Sequence, residues 1–237
     1  MTAEIETSGR TESERLALAD WRRRLAELYA QVRELARTDP AAAHTHWREV
    51  REGLFRGHAS SPLPPGRRRD FQALHFPYDP ALRFELQLIP DDTPAAAPAA
   101  AAAPATAAAP APAGIGGLLL PISTGRQIGF DRIGWLDVPF SSGARRLALF
   151  WLPEYSGGLF LPFRDGTNGR ETYGGGRYLL DTAKGADLGG DPDAGTVVVD
   201  FNFAFQPSCA FDPRWSCPLS PPDNRLEIEI RAGERVA

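Results

Sequence analysis

Between Glu12 and Arg37 the apolar residues Leu16, Trp21, Leu25, Leu28, Tyr29, Val32 and Leu35 recur at near-helical spacing, with arginines and glutamates filling the other face. The spacing predicts an amphipathic helix and sets residues 1–40 apart as a helical N-terminal segment. Asp39 followed by Pro40 reads as an N-cap and first-turn proline for a second, shorter helix. Trp47, Val50 and Leu54 share its stripe, and the loop from Ser60 to Pro65 stops it.

After Asp79 the period drops to two. Leu82, Phe84, Leu86 and Leu88 alternate with Arg83, Glu85 and Gln87, the pattern of a half-buried strand. Apolar runs then recur between glycine-marked turns: Leu118 to Ile122, Gln127 to Val138, Leu147 to Leu152, Leu159 to Phe163, Arg177 to Asp181, Thr196 to Phe205 and Leu226 to Arg231. Leu147 to Leu152 is apolar on both faces and is expected at the centre of a sheet, whereas Leu226, Ile228 and Ile230 alternate with charged residues and predict one wet face. The resulting expectation is a mainly β fold, a sandwich or partly closed barrel, carrying an N-terminal segment of two helices.

Residues 91–114 break the pattern, being almost wholly alanine and proline from Pro94 onward. Proline at that density keeps the alanines from propagating a helix. The stretch is read as a disordered loop inserted between paired strands, which the logarithmic growth of loop-closure entropy tolerates. Residues 41–237 are therefore expected to form a single β-rich domain.

With 237 residues, 43% hydrophobic and 24% charged, the chain can bury a conventional core. A net charge of −4 argues against a nucleic-acid partner, and the run Arg67, Arg68, Arg69 reads as solvated loop. Met1 to Glu14 is polar without a signal-peptide pattern, and no stretch approaches the ~20 apolar residues of a membrane span. A cytoplasmic location away from membranes is the expectation.

Candidate chemistry concentrates between Leu159 and Arg225. If Val197 to Phe205 is one strand, Asp200 and Asn202 share the face opposite Val199, Phe201 and Phe203, about 7 Å apart. They are either a polar site or ordinary solvent-facing residues. Arg164 and Asp165 end an apolar strand, and Thr172, Tyr173 and three glycines precede Arg177. Glycine backbone can approach an anion closely and arginine can bind it with two parallel hydrogen bonds, although glycines there also make plain hairpin turns.

The runs Leu159-Phe160-Leu161-Pro162-Phe163-Arg164-Asp165, Thr172-Tyr173-Gly174-Gly175-Gly176-Arg177-Tyr178-Leu179, Val199-Asp200-Phe201-Asn202, Pro207-Ser208-Cys209-Ala210 and Cys217-Pro218-Leu219-Ser220-Pro221-Pro222-Asp223-Asn224 together resemble a bacterial and archaeal family catalogued as domain of unknown function 1684. Weaker echoes lie at His58 to Leu63 and Phe76 to Pro80. The resemblance implies one domain spanning most of the chain and implies no particular chemistry. Phe205 and Gln206 stand where the family pattern has a Tyr-Asn pair, and Phe211 stands where it has a tyrosine.

Cys209 and Cys217 are the only cysteines. They read as buried structural thiols, as a disulfide that a reducing compartment disfavours, or as a catalytic thiol at Cys209 activated by His58 or Arg214. A metal site is not expected, because His44, His46, His58 and His75 lie at no zinc-ligand spacing and no pattern identifies a cofactor. The sequence thus predicts a small-molecule-binding β domain that takes a small anionic ligand on Arg164, Asp165, Thr172, Tyr173, Arg177, Asp200 and Asn202. The alternatives are a thiol-dependent hydrolase or oxidoreductase using Cys209 with Cys217 or His58, and a structural or interaction module presenting the first helix to a partner.

Overall fold

The computed structural model describes residues 11–91, 118–125, 127–153 and 157–236. All but Asp91 of the Ala/Pro-rich insertion therefore lies outside the described residues. Helix α1 (Glu12–Leu35) begins at a reciprocal cap in which the Glu14 N–H donates to Thr11 Oγ1 at 3.2 Å and the Thr11 N–H donates to Glu14 Oε2 at 2.7 Å. Helix α2 (Pro40–Gly57) opens as the Asp39-Pro40 pair predicts, with Asp39 Oδ1 accepting from the Ala42 N–H at 2.9 Å. A single turn, α3 (Pro65–Arg68), follows.

The strands are β1 (Leu74–His75), β2 (Arg83–Gln87), β3 (Ile89–Pro90), β4 (Leu118–Pro121), β5 (Gln127–Val138), β6 (Arg145–Trp151), β7 (Leu159–Phe163), β8 (Arg177–Asp181), β9 (Thr196–Asp200) and β10 (Glu234–Arg235). The main sheet runs β3-β5-β6-β7-β8, with β4 also on β5, and the pairs β2-β9 and β1-β10 stand beside it. Every ladder between named strands is antiparallel. The fold is β-rich with two long N-terminal helices, as the periodicity implies, and its sheets do not close into a barrel. β3 and β4, which flank the insertion, pair with β5 rather than with each other. Gly134 makes the β3 approach possible, because a Cβ there would run into the Ile89 carbonyl.

β6 lies between β5 and β7 and is buried on both faces. Leu147 and Leu149 join Leu136, Leu161, Leu179, the α1–α2 stripe and β9 in the main core, while Ala148 and Phe150 pack with Leu120, Phe130 and Phe160 in a smaller one. β6 and β7 pair only at Phe150–Phe160 and Trp151–Leu159. Where they part, the buried Asn224 side chain takes the place of a ladder. Its Oδ1 accepts from the Ala148 N–H at 2.7 Å, and its Nδ2 donates to the carbonyls of Ala148 (2.9 Å) and Pro162 (2.7 Å).

Two predicted strands are corrected. The run expected as one strand from Thr196 to Phe205 ends at Asp200, whose Oδ1 accepts the Asn202 N–H at 2.9 Å and turns Phe201–Phe203 into a single 3-10 turn. The segment from Leu226 to Arg231 keeps its alternation of buried and exposed side chains but forms no strand. Its backbone bonds instead to the turn after β7: the Leu226 N–H donates to the Arg164 carbonyl at 2.7 Å, and the Gly166 N–H donates to the Ile228 carbonyl at 2.8 Å. No helix among the described residues is long and apolar enough to cross a membrane.

Candidate functional site

The seven residues singled out in the sequence divide among three places. Asp165 and Arg177 form an ion pair at 2.9 Å with both side chains 0% exposed. Arg177 also donates to the backbone carbonyls of Ile230 (2.9 Å), Glu234 (3.2 Å) and Ala232. Asp165 accepts from the Ile230 N–H (2.9 Å), the Thr167 N–H (3.1 Å) and the Thr167 hydroxyl (2.6 Å). Thr172 is buried and bonds to Thr167 and Asn168, and Arg164 joins through its backbone. Burial pulls the Arg177 pKa down and the Asp165 charge opposes that. The group fastens the C-terminal segment to the β7–β8 turn, and both terminal nitrogens of Arg177 are committed to protein oxygens.

Asp200 and Asn202 sit elsewhere, bonded to each other and not lying 7 Å apart along a strand. Asn202 Nδ2 donates to Asp200 Oδ1 and to the Asp79 carbonyl, both at 2.8 Å, and Asn202 Oδ1 accepts the Asp79 N–H. Asp200 Oδ2 has no partner, and burial pushes its carboxyl up to about 6 against the lowering effect of Asn202. It borders a hollow of about 260 Å³ beside Arg33, Arg37 and Arg83. Tyr173 belongs to a third group, around the two cysteines.

A different place has the shape of a ligand site. Between α1, α2 and the end of β8 lies a cavity of about 110 Å³ whose walls include Trp21, Phe55, Phe205 and Trp215. Arg51 enters from α2 and is nearly buried. It is held by Glu234 through Nε (2.6 Å) and one terminal nitrogen (3.3 Å), and its guanidinium lies 4.4 Å from the Phe55 ring centroid and 5.1 Å from that of Phe205. Glu234 stays ionised, because Arg51 lowers its pKa against the effect of burial. Gln206 donates its Nε2 to the Arg235 carbonyl at 3.2 Å, which orients the amide, and its buried Oε1 has no hydrogen-bond partner. Arg22, Lys184 and Asp181 complete the charged lining.

None of the seven predicted residues lines this cavity. Sequence reasoning passed over Arg51, although it falls on the same helical stripe as Trp47, Leu54 and Phe55, where a charge is out of place unless partnered. His58, proposed to activate Cys209, is occupied: its Nδ1 accepts the Ser60 N–H at 3.0 Å and its Nε2 meets Asp20 at 3.1 Å. Arg214 pairs with Asp212 at 3.1 Å. The groups around Cys209 are instead Cys217, Tyr173 and Ser123.

Fold and site together define a β-rich domain with a two-helix cover and an aromatic-walled cavity beneath it. The chain matches the family model described as protein of unknown function (DUF1684) over residues 69–235, and it belongs to that family. It is similar to an uncharacterised protein of Haloarcula marismortui whose solution structure was determined by NMR, at 32% identity over 80% of this chain and 90% of that one, with a TM-score of 0.52. No curated protein matches it. Asp165, Arg177 and Asn224, all within the runs that carry the family resemblance, act here as internal clamps.

Proposed function

We propose that this protein binds a small anionic molecule in the cavity between the helical pair and the sheet. The observation that carries the reading is Gln206, which lines the cavity together with Arg51 and whose buried Oε1 has no partner. An unsatisfied buried carbonyl costs about 1–3 kcal/mol, which a ligand donor placed against it recovers. Arg51 is paired with Glu234 and Lys184 with Asp181, which leaves Arg22 as the lining cation that favours an anion, while the aromatic walls favour a flat apolar body. A cavity of roughly 150 Å³ holds a whole benzene ring, so a partly open cavity of about 110 Å³ takes a short-chain acid or a single small ring that projects in part beyond it.

Thermal unfolding of the full chain with a panel of hydroxyaryl carboxylates, whose hydroxyl is the donor that Gln206 Oε1 requires, and their neutral amides tests this. At a hundred times Kd, a carboxylate stabilises the folded state by about 2.7 kcal/mol and raises Tm by roughly 5–10 °C. The neutral amides leave Tm unchanged, and Trp21→Ala abolishes the carboxylate shift. The reading is overturned if no carboxylate shifts the wild type, or if Trp21→Ala responds as the wild type does.

A further inference from the structure

The two cysteines are placed for chemistry with each other. Both are free thiols, and the Cys209 N–H donates to Cys217 Sγ at 3.3 Å. That bond holds the Cys209 Cα within about 4.8 Å of the partner sulfur, given a backbone N–Cα bond of about 1.46 Å. A sulfur at this range lies within reach of disulfide geometry. Cys209 sits on the 3-10 turn Ser208–Ala210. Cys217 is anchored on both sides of its peptide: its N–H donates to Ser123 Oγ at 3.1 Å, and its carbonyl accepts the Ser123 N–H at 2.9 Å. The loop between them carries Trp215, whose indole N–H donates to the Pro62 carbonyl at 2.9 Å.

The surroundings of the two sulfurs differ. Cys217, Tyr173 and Ser123 are the polar groups beside the Cys209 thiol. Led by the Cys217 hydrogen bond, they bring the Cys209 thiol down to about 6 in spite of burial. Cys217 is pushed far up, first by serving as the donor in that hydrogen bond and then by burial. Tyr173 is raised to about 12, first by burial and then by its bond to Cys209, so it remains a proton donor. One sulfur is thereby prepared as the nucleophile and the other as the resolving thiol. Cys209 keeps 9% of its surface open, and Cys217 borders the aromatic-walled cavity.

We propose that Cys209 and Cys217 form a redox pair that reduces low-molecular-weight disulfides. The Cys209 thiolate attacks one sulfur of RSSR, forming a mixed disulfide and expelling RS⁻. Cys217 gives its proton to that RS⁻ and attacks the Cys209 sulfur, closing the Cys209–Cys217 disulfide and expelling a second RS⁻, which takes a proton from solvent and balances the one released when Cys209 ionised. In net terms the protein dithiol and RSSR become the protein disulfide and two RSH, with two electrons passing from protein to substrate. The proposal does not rest on a ligand being bound in the cavity.

The test is oxidised glutathione added to the reduced full chain, followed by acid quench and intact mass. The wild type loses two hydrogens and both titratable thiols without retaining an adduct. Cys217→Ser keeps one glutathione on Cys209, at a rate that climbs with pH as the Cys209 thiol ionises. Cys209→Ser reacts at least about tenfold more slowly at pH 7, because its remaining thiol is protonated. The wild-type result decides the matter even if a variant fails to fold. Retention of both thiols, or two glutathione adducts without ring closure, overturns the proposal, as does a folded Cys209→Ser that reacts as fast as Cys217→Ser.

Discussion

Replacing Arg177 with methionine removes the charge that neutralises Asp165 while keeping most of the side-chain volume. The structure fixes what is lost: one ion pair with both partners 0% exposed, and the hydrogen bonds that satisfy the carbonyls of Ile230, Ala232 and Glu234. Asp165 would remain buried with only Thr167 and the Ile230 N–H to hold its charge. Breaking a buried pair from one side costs about 3–5 kcal/mol, because the surviving charge is left uncompensated. For a chain of this size that lowers Tm by roughly 6–20 °C. Urea unfolding followed by tryptophan fluorescence measures it, with the midpoint falling and the slope unchanged. Asp165→Asn combined with Arg177→Met is predicted to lose at least about 2 kcal/mol less than the two single losses summed, since removing both partners leaves no orphaned charge. Arg177→Met within about 1 kcal/mol of wild type, or strictly additive losses in the double variant, would refute the assignment of this pair as an internal clamp.

Asn224→Ala removes the side chain that bridges β6 and β7, and three buried hydrogen bonds at 2.7–2.9 Å with it; the expected loss is about 2–4 kcal/mol in urea unfolding, and a loss below about 1 kcal/mol would show that the strands re-pair without it. His44 is lowered to about 4 from 6.5, first by burial and then by His75. The unfolded chain therefore binds a proton that the fold refuses, and stability drops by about 3 kcal/mol as pH falls from 6.5 toward 4. His44→Phe should flatten that slope, and an unchanged slope would exclude His44 as its source. Asp200, raised to about 6 from 3.8, works in the opposite sense, adding stability as pH falls from 6 to 3.8; Asp200→Asn is expected to steepen the acid loss in the same titration. Gly233, at φ +76° with its missing Cβ aimed at the Ala204 carbonyl, has no room for a side chain. Gly233→Ala should cost about 2–3 kcal/mol, and a neutral result would mean that the C-terminal segment shifts freely.

What the sequence made legible was what periodicity alone decides. α1, α2 and the central place of β6 follow from spacing that no tertiary contact had to supply. The misreadings arose where a side chain takes over from the ladder. Alternation continues through Phe201 and Phe203 even though Asp200 has already turned the chain, and it continues through Leu226 to Ile230 even though that backbone bonds to a turn and to Asp165. The glycine turn and Arg177 looked like an anion site because an arginine's type and spacing are the same whether its partner is a ligand or a buried aspartate twelve residues earlier. Arg51 was readable as a charge on an apolar stripe, but Glu234, 183 residues away, was not. Gln206 could be recognised as an unpartnered acceptor only once its neighbours were known.

The most direct test of the central claim is chemical-shift mapping, titrating a hydroxyaryl carboxylate into the isotopically labelled full chain. The account predicts saturable shifts of the backbone amides of Trp21, Phe55, Phe205, Gln206 and Trp215, with Gly174 to Arg177 unmoved. Shifts centred on Gly174 to Arg177 and Asp165, with the cavity residues silent, would contradict it.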